Sequence, residues 1–120
     1  MSIFKVNVIA INAQNQMKKT SPLEVLVDTG SELTWLPASL LKKIGIKPLR
    51  NKNFVTATKQ NIQRPVGYAI LQAEAFETID EVVFAEDSDM VLLGVRTIEG
   101  FGVTVDNIGH RFVAQASLVV

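Results

Sequence analysis

The sequence predicts an all-β domain, a closed barrel or sandwich with one or two short helices. Apolar and polar residues alternate with period two along several short runs, turn-forming residues recur between those runs, and only two short segments carry helical spacing. At 120 residues, 48% of them hydrophobic, the chain suits one domain over residues 1–120 with a sizeable core.

The first run sets Ile3, Lys5, Asn7, Ile9 and Ile11 on one side and Phe4, Val6, Val8 and Ala10 on the other, the period of a strand. Polar Asn12 to Ser21, closed by Pro22, reads as a hairpin loop before a second strand, Leu23 to Val27, which Gly30 breaks. Leu33 to Leu36 reads as a third, short strand. Pro37 then opens a helix that Gly45 stops, with Leu40, Leu41 and Ile44 as its apolar face and Lys42 and Lys43 on its wet side. Strand signal returns in Phe54 to Ala57, and after the polar tip Thr58-Lys59-Gln60-Asn61 it runs from Ile62 to Leu71, making a long hairpin. Ala73 to Phe84 continues in strands, Glu86-Asp87-Ser88-Asp89 forms an acidic turn, and Met90 to Gly94 is an apolar strand. Val95 to Gly100 reads as a second short helix ending at its glycine. Phe101 to Asp106 and Arg111 to Val120 complete the chain as strands about the turn Asn107-Ile108-Gly109-His110. The final stretch from Ala114 to Val120 is apolar to its end and needs a partner, for which a second copy of the chain is the simplest candidate.

Composition removes several function classes. Twelve Lys and Arg balance twelve Asp and Glu, so no polyanion-binding surface and no nucleic-acid partner is expected. Without cysteine there is no disulfide, no thiol nucleophile and no thiolate zinc site. No run approaches the ~20 apolar residues that cross a bilayer, and the opening strand, interrupted by Lys5 and Asn7, does not read as a signal peptide. The expectation is a soluble, cytoplasmic protein without a membrane partner.

The chemistry is concentrated in Val27-Asp28-Thr29-Gly30-Ser31, entered through the apolar run Leu23-Glu24-Val25-Leu26. A second signature, Val91-Leu92-Leu93-Gly94, follows at a spacing that leaves room for the long hairpin. Together these resemble the retropepsin-like aspartic protease superfamily, from the first strand to Val105-Asp106. The chain looks closer to small cellular or bacterial members than to viral ones, since those relatives often continue from the Leu-Leu-Gly element with a helix similar to Val95-Arg96-Thr97-Ile98-Glu99. The resemblance implies a closed β-barrel of the acid protease type and an aspartic endopeptidase without metal or organic cofactor. Aspartic proteolysis needs two carboxyl groups sharing a proton, one to deprotonate water and one to polarise the scissile carbonyl. With one Asp-Thr-Gly, and a length short for a two-lobed enzyme, the active form is expected to be a homodimer.

Residue roles follow from the resemblance. Asp28 of each subunit would meet across a two-fold axis, Thr29 would lock the two loops across the dimer, and the Gly30 amide would donate to the inner carboxylate oxygen. Ser31, where viral relatives usually carry alanine, is expected to hydrogen bond to the outer oxygen of Asp28 and lower the working pH. Leu92, Leu93 and Gly94 would support the catalytic loop from beneath. The hairpin from about Phe54 to Tyr68 would be the flap, with Thr58, Lys59, Gln60 and Asn61 at the tip contacting substrate. That tip has neither the glycines of viral flaps nor the tyrosine of two-lobed ones. The apolar strands around the motif suit an extended peptide or protein substrate added like a strand.

Other polar residues have simpler readings. His110 reads as an exposed turn residue, and Glu86, Asp87 and Asp89 as a solvated turn without the spaced ligands of a cation loop. Asp106 reads as a turn residue rather than a second catalytic carboxylate. Trp35 fits a subsite wall, a core or an interface. Two alternatives stand beside the enzyme: a non-catalytic dimeric module of the same fold that holds a peptide or protein, and an unrelated ligand-binding β barrel.

Overall fold

Alternation decides the first strand in the computed structural model, which describes residues 4–119. In β1 (Lys5–Ile11), Val6, Val8 and Ala10 are buried with Phe4 just before them, while Lys5 and Asn7 face solvent. Ile3 and Val120, assigned to strands from the sequence, lie outside the described residues. After the loop, β2 (Leu23–Val27) returns antiparallel to β1, with Val6 opposite Val25. Asn12 organises that loop: its Oδ1 accepts from the amides of Gln14 and Asn15, and its Nδ2 donates to the Ile44 carbonyl at 2.9 Å.

Strand β3 (Thr34–Pro37) runs directly into helix α1 (Ala38–Lys43), whose Leu41 is fully buried while Lys42 and Lys43 stay exposed. The hairpin of β4 (Arg50–Val55) and β5 (Asn61–Ala73) follows, and β6 (Phe76–Ala85) pairs back along β5. Strand β7 is only Leu92–Leu93; after it come α2 (Val95–Phe101), β8 (Val103–Asp106) and β9 (Arg111–Ala114).

The sheet runs β1-β2-β7-β3-β6-β5-β4, and β1 pairs also with β5, so it closes on itself as a ring with β4 outside. Closure leaves the edge problem to β4 and to the separate two-stranded β8–β9 sheet. Inside the ring Val8, Val25, Leu36, Leu71, Val82, Phe84 and Leu93 form one core with Leu41 of α1 and Ile98 of α2. Each such burial stabilises by about 1.5–3 kcal/mol. A smaller cluster, Leu33, Val66 and Val83 with Trp35 and Phe54 against it, lies under the hairpin.

Several boundaries differ from the sequence reading. Strand β4 begins at Arg50, four residues early, because this polar stretch is held by pairing with β5 rather than by a buried face. The run from Ala73 to Phe84 is broken by a tight turn at Glu74 and Ala75, both at positive φ (50° and 71°) without a glycine. Helix α2 continues past Gly100 to Phe101 and is capped by Gly102 at φ 73°, the left-handed position that glycine occupies without penalty. The terminal stretch is strand only to Ala114; from there to Val119 it is exposed and outside any strand. Among the described residues no helix is long and apolar enough to cross a membrane.

Candidate active site

The Asp-Thr-Gly loop hangs from two parallel strands. Strand β2 pairs with β7 so that Val27 lies opposite Leu93, and the Asp28 amide donates to the Leu93 carbonyl at 2.9 Å. The loop then turns on itself: the Gly30 amide donates to Asp28 Oδ1 at 2.9 Å, and the Ser31 amide to the Asp28 carbonyl at 3.2 Å. Its far side is gripped by the start of α2, where the Val95 and Arg96 amides donate to the carbonyls of Ser31 (2.8 Å) and Glu32 (3.1 Å). This grip needs Gly94. A Cβ there would stand 2.4 Å from both the carbonyl carbon and oxygen of Leu33, so β7 and the loop touch backbone to backbone.

Asp28 is half-buried, and Thr29 and Gly30 are exposed beside it. The carboxylate opens into a cleft of about 660 Å³ whose walls include Trp35, Phe54, Ile62, Met90 and Leu92. Trp35 on β3 and Phe54 on β4, both in the lining, pack with ring centroids 4.8 Å apart at 58°, which ties the hairpin to β3 beside the cleft. The lining also holds Glu32, Lys52 and Asp89, each ion-paired, so the apolar walls beside Asp28 suit an apolar side chain on either side of a reacting bond.

The predicted site residues separate into two groups. Asp28, Gly30, Ser31 and Leu92 line the cleft, while Leu93 and Gly94 carry the loop from below. Ser31 does not reach the outer oxygen of Asp28; its hydroxyl donates to the Leu33 carbonyl at 2.8 Å, because the loop's tight turn aims that side chain along the chain. The tip residues Thr58, Lys59, Gln60 and Asn61 are exposed and lie beyond the cleft lining, where Lys52, Thr56 and Ala57 take the hairpin's part. The tip closes on itself instead: the Thr56 hydroxyl accepts from the Gln60 amide, and Lys59 sits at φ 63°.

Charges around the cleft are paired. Glu32 of the loop meets Lys52 of the hairpin at 4.0 Å and Arg96 at 3.7 Å, and Arg96 also reaches buried Glu81 at 3.3 Å, which Arg50 covers from the other side. Asp89 is not the solvated turn residue expected: Arg64 grips it with two bonds of 2.7 and 3.0 Å, each side chain under a sixth exposed. The Arg64 guanidinium, aided by the Glu86 amide, holds the Asp89 carboxyl below the usual carboxylate range against the opposing effect of burial. Asp106 accepts from the amides of Gly109 and Ile108, which, with Arg111, lower its carboxyl too; it is a turn residue. His110 is exposed at φ 52° with its ring stacked on Phe4. Among the described residues no three His, Asp or Glu side chains gather as a metal-binding group.

Sequence reasoning missed a buried polar chain beneath the loop. The Gly94 amide donates to Thr34 Oγ1 at 2.9 Å, Thr34 Oγ1 lies 2.6 Å from Thr97 Oγ1, and Thr97 Oγ1 donates to Asp80 Oδ2 at 2.8 Å. Thr34 and Thr97 read as ordinary strand and helix residues, and Asp80 as one polar residue among several; only the tertiary fold joins them.

Comparison with known proteins agrees with this geometry. The family described as "gag-polyprotein putative aspartyl protease" matches residues 13–99. No curated protein sequence matches the chain. Among solved structures, the foamy viral protease-reverse transcriptase in complex with an RNA/DNA hybrid is similar at 18% identity and a TM-score of 0.57 over 81% of this chain, which spans only 12% of that one. The solution structure of Simian Foamy Virus (mac) protease is similar at 17% identity and a TM-score of 0.54, covering 79% of this chain and 91% of that one. Identities this low speak for the fold, a retropepsin-like ring of strands; the family match speaks for the lineage. The chain belongs to the family described as gag-polyprotein putative aspartyl protease.

Proposed function

We propose that two copies of this chain form one active site, in which a water activated by the paired Asp28 carboxyl groups hydrolyses a peptide bond. One observation carries the reading: a single Asp28 carboxylate, oriented by the Gly30 amide, stands at the mouth of an apolar cleft on a loop whose next two residues are exposed. One carboxylate supplies a base but no acid. A second copy brought against the exposed face of this loop supplies the other, and two carboxyl groups in contact share one proton, which gives both roles in one site. The ionised member takes a proton from water as the water attacks the scissile carbonyl carbon, and the protonated member donates to the carbonyl oxygen. Collapse of the resulting diol sends a proton to the leaving amine and returns the dyad to its starting state.

In this reading Thr29 secures the two loops against each other, and the substrate is an extended peptide whose backbone pairs with the hairpin while apolar side chains meet Trp35, Phe54 and Met90. The cytoplasmic setting and independence from metal and organic cofactors belong to the same reading. The test is incubation of wild type and Asp28→Asn with a diverse peptide mixture from acidic to neutral pH, with new termini read by mass spectrometry. Cleavage by wild type alone supports the mechanism. Equal or absent cleavage contradicts it and leaves a peptide-holding module of the same fold.

A further inference from the structure

The peptide plane between Leu93 and Gly94 is held at both ends. Its carbonyl accepts the Asp28 amide at 2.9 Å, and its N–H donates to Thr34 Oγ1 at 2.9 Å. From Thr34 the contacts pass to Thr97 at 2.6 Å and then to Asp80 at 2.8 Å. The direction of every proton in this chain follows from its ends. An amide can only donate, and the Thr97 hydroxyl spends its single proton on Asp80, so Thr34 must accept from Gly94 and donate to Thr97. All the hydrogen bonds therefore point one way, from the peptide plane to the carboxylate, an arrangement in which each bond polarises the next.

Thr34 and Thr97 are 0% exposed and Asp80 is 8% exposed, so water does not compete for these groups. Asp80 is itself fixed, because its Oδ1 accepts from the Glu81 amide at 2.7 Å and faces Arg96 at 3.8 Å. None of the three side chains lines the cleft. Their common endpoint is the peptide whose carbonyl sets the height of Asp28 above β7.

We propose that Asp80, acting through Thr97 and Thr34, is a positioning residue for Asp28: its carboxylate fixes the rotation of the Leu93–Gly94 peptide and thereby the placement of the catalytic loop. This rests on reading Asp28 as the catalytic carboxylate. Tilting the peptide away from its present plane moves the carbonyl that holds the Asp28 amide, and small misplacements of reacting groups are costly in rate.

The test compares Thr97→Val, which keeps the shape and deletes the hydroxyl, with Thr97→Ser, which restores it. Two readouts are taken: peptide cleavage well below the unfolding temperature, and amide hydrogen exchange at Asp28 relative to a core amide such as that of Leu71. For Thr97→Val the expectation is a kcat lowered roughly tenfold or more with KM nearly unchanged, and Asp28 exchange accelerated at least about tenfold over the core reference. Thr97→Ser restores both, and Asp80→Ala behaves as Thr97→Val. A Thr97→Val protein that melts lower yet keeps its kcat and its relative Asp28 exchange overturns the proposal, as does a Thr97→Ser protein that fails to restore the exchange. If wild type cleaves nothing, the protease reading fails on its own, and the exchange comparison still decides whether Asp80 positions this loop.

Discussion

Replacing Gly94 by alanine tests how tightly the catalytic loop is seated. The added Cβ would lie 2.4 Å from the Leu33 carbonyl carbon and oxygen and 2.9 Å from the Glu32 oxygen. Unstrained carbon contacts fall near 3.5 Å, so the loop and β7 must separate by about 1 Å. Backbone atoms on both sides leave no side chain to rotate away. Overpacking of this kind costs about 1–3 kcal/mol. The shift also stretches the bonds from Val95 to Ser31 and from Arg96 to Glu32, at about 1 kcal/mol each. The sum is about 3–5 kcal/mol, which for a chain of this size lowers Tm by roughly 10–20 °C. Activity measured below the new Tm falls by about a hundredfold, because Asp28 moves with the loop. The assay is thermal unfolding followed by circular dichroism, with peptide cleavage on the same samples. A Gly94→Ala protein within about 1 kcal/mol of wild type and fully active would refute the backbone-contact argument.

Arg64→Met leaves Asp89 without its two-pronged partner in a little-solvated position, and a loss of about 2–3 kcal/mol is expected at neutral pH by chemical denaturation. The Asp89 carboxyl titrates below its ordinary value of 3.8 in the folded chain, so the stabilisation is complete above that value and fades as pH falls through the lowered one. The Tm gap between wild type and Arg64→Met should therefore be full at neutral pH, begin to narrow where the variant's unpaired carboxyl takes up its proton, and go on narrowing below about pH 4 as the wild-type carboxyl titrates; a gap that is the same at neutral pH and well below pH 4 contradicts the assignment. Phe54→Ala removes the ring that docks the hairpin on Trp35 and should cost about 2 kcal/mol while raising KM more than it lowers kcat. Unchanged KM in steady-state kinetics would mean that this aromatic pair does not shape the cleft.

What could be read from the sequence was whatever burial or chirality writes locally. Phe4, Val6, Val8 and Ala10 alternate because one face of β1 is core, and Leu92-Leu93-Gly94 marks the support of the Asp28-Thr29-Gly30 loop because the close backbone approach at residue 94 demands glycine. Arg50 to Asn53 escaped notice because β4 is held by pairing and shows no buried periodicity. Glu74 and Ala75 make a positive-φ turn with none of the residues that announce one. The apolar end from Ala114 suggested a strand, yet composition cannot say that the pairing of β8 with β9 stops there. The residue type of Ser31 suits a bond to Asp28, whereas the loop's rotation gives its hydroxyl to the Leu33 carbonyl. The burial of Asp80 and Glu81 and the Thr34–Thr97 contact join residues up to 63 positions apart, a distance over which no local pattern operates.

The shared dyad is tested most directly by mixing wild type with Asp28→Asn at constant total protein, letting subunits exchange, and measuring the initial rate of peptide cleavage against the wild-type fraction. If each active site needs a carboxyl group from both copies, the rate falls as the square of that fraction, so that an equal mixture retains about a quarter of the activity. A rate falling in direct proportion to the wild-type fraction would show that one chain cleaves alone, and the dimeric mechanism would be wrong.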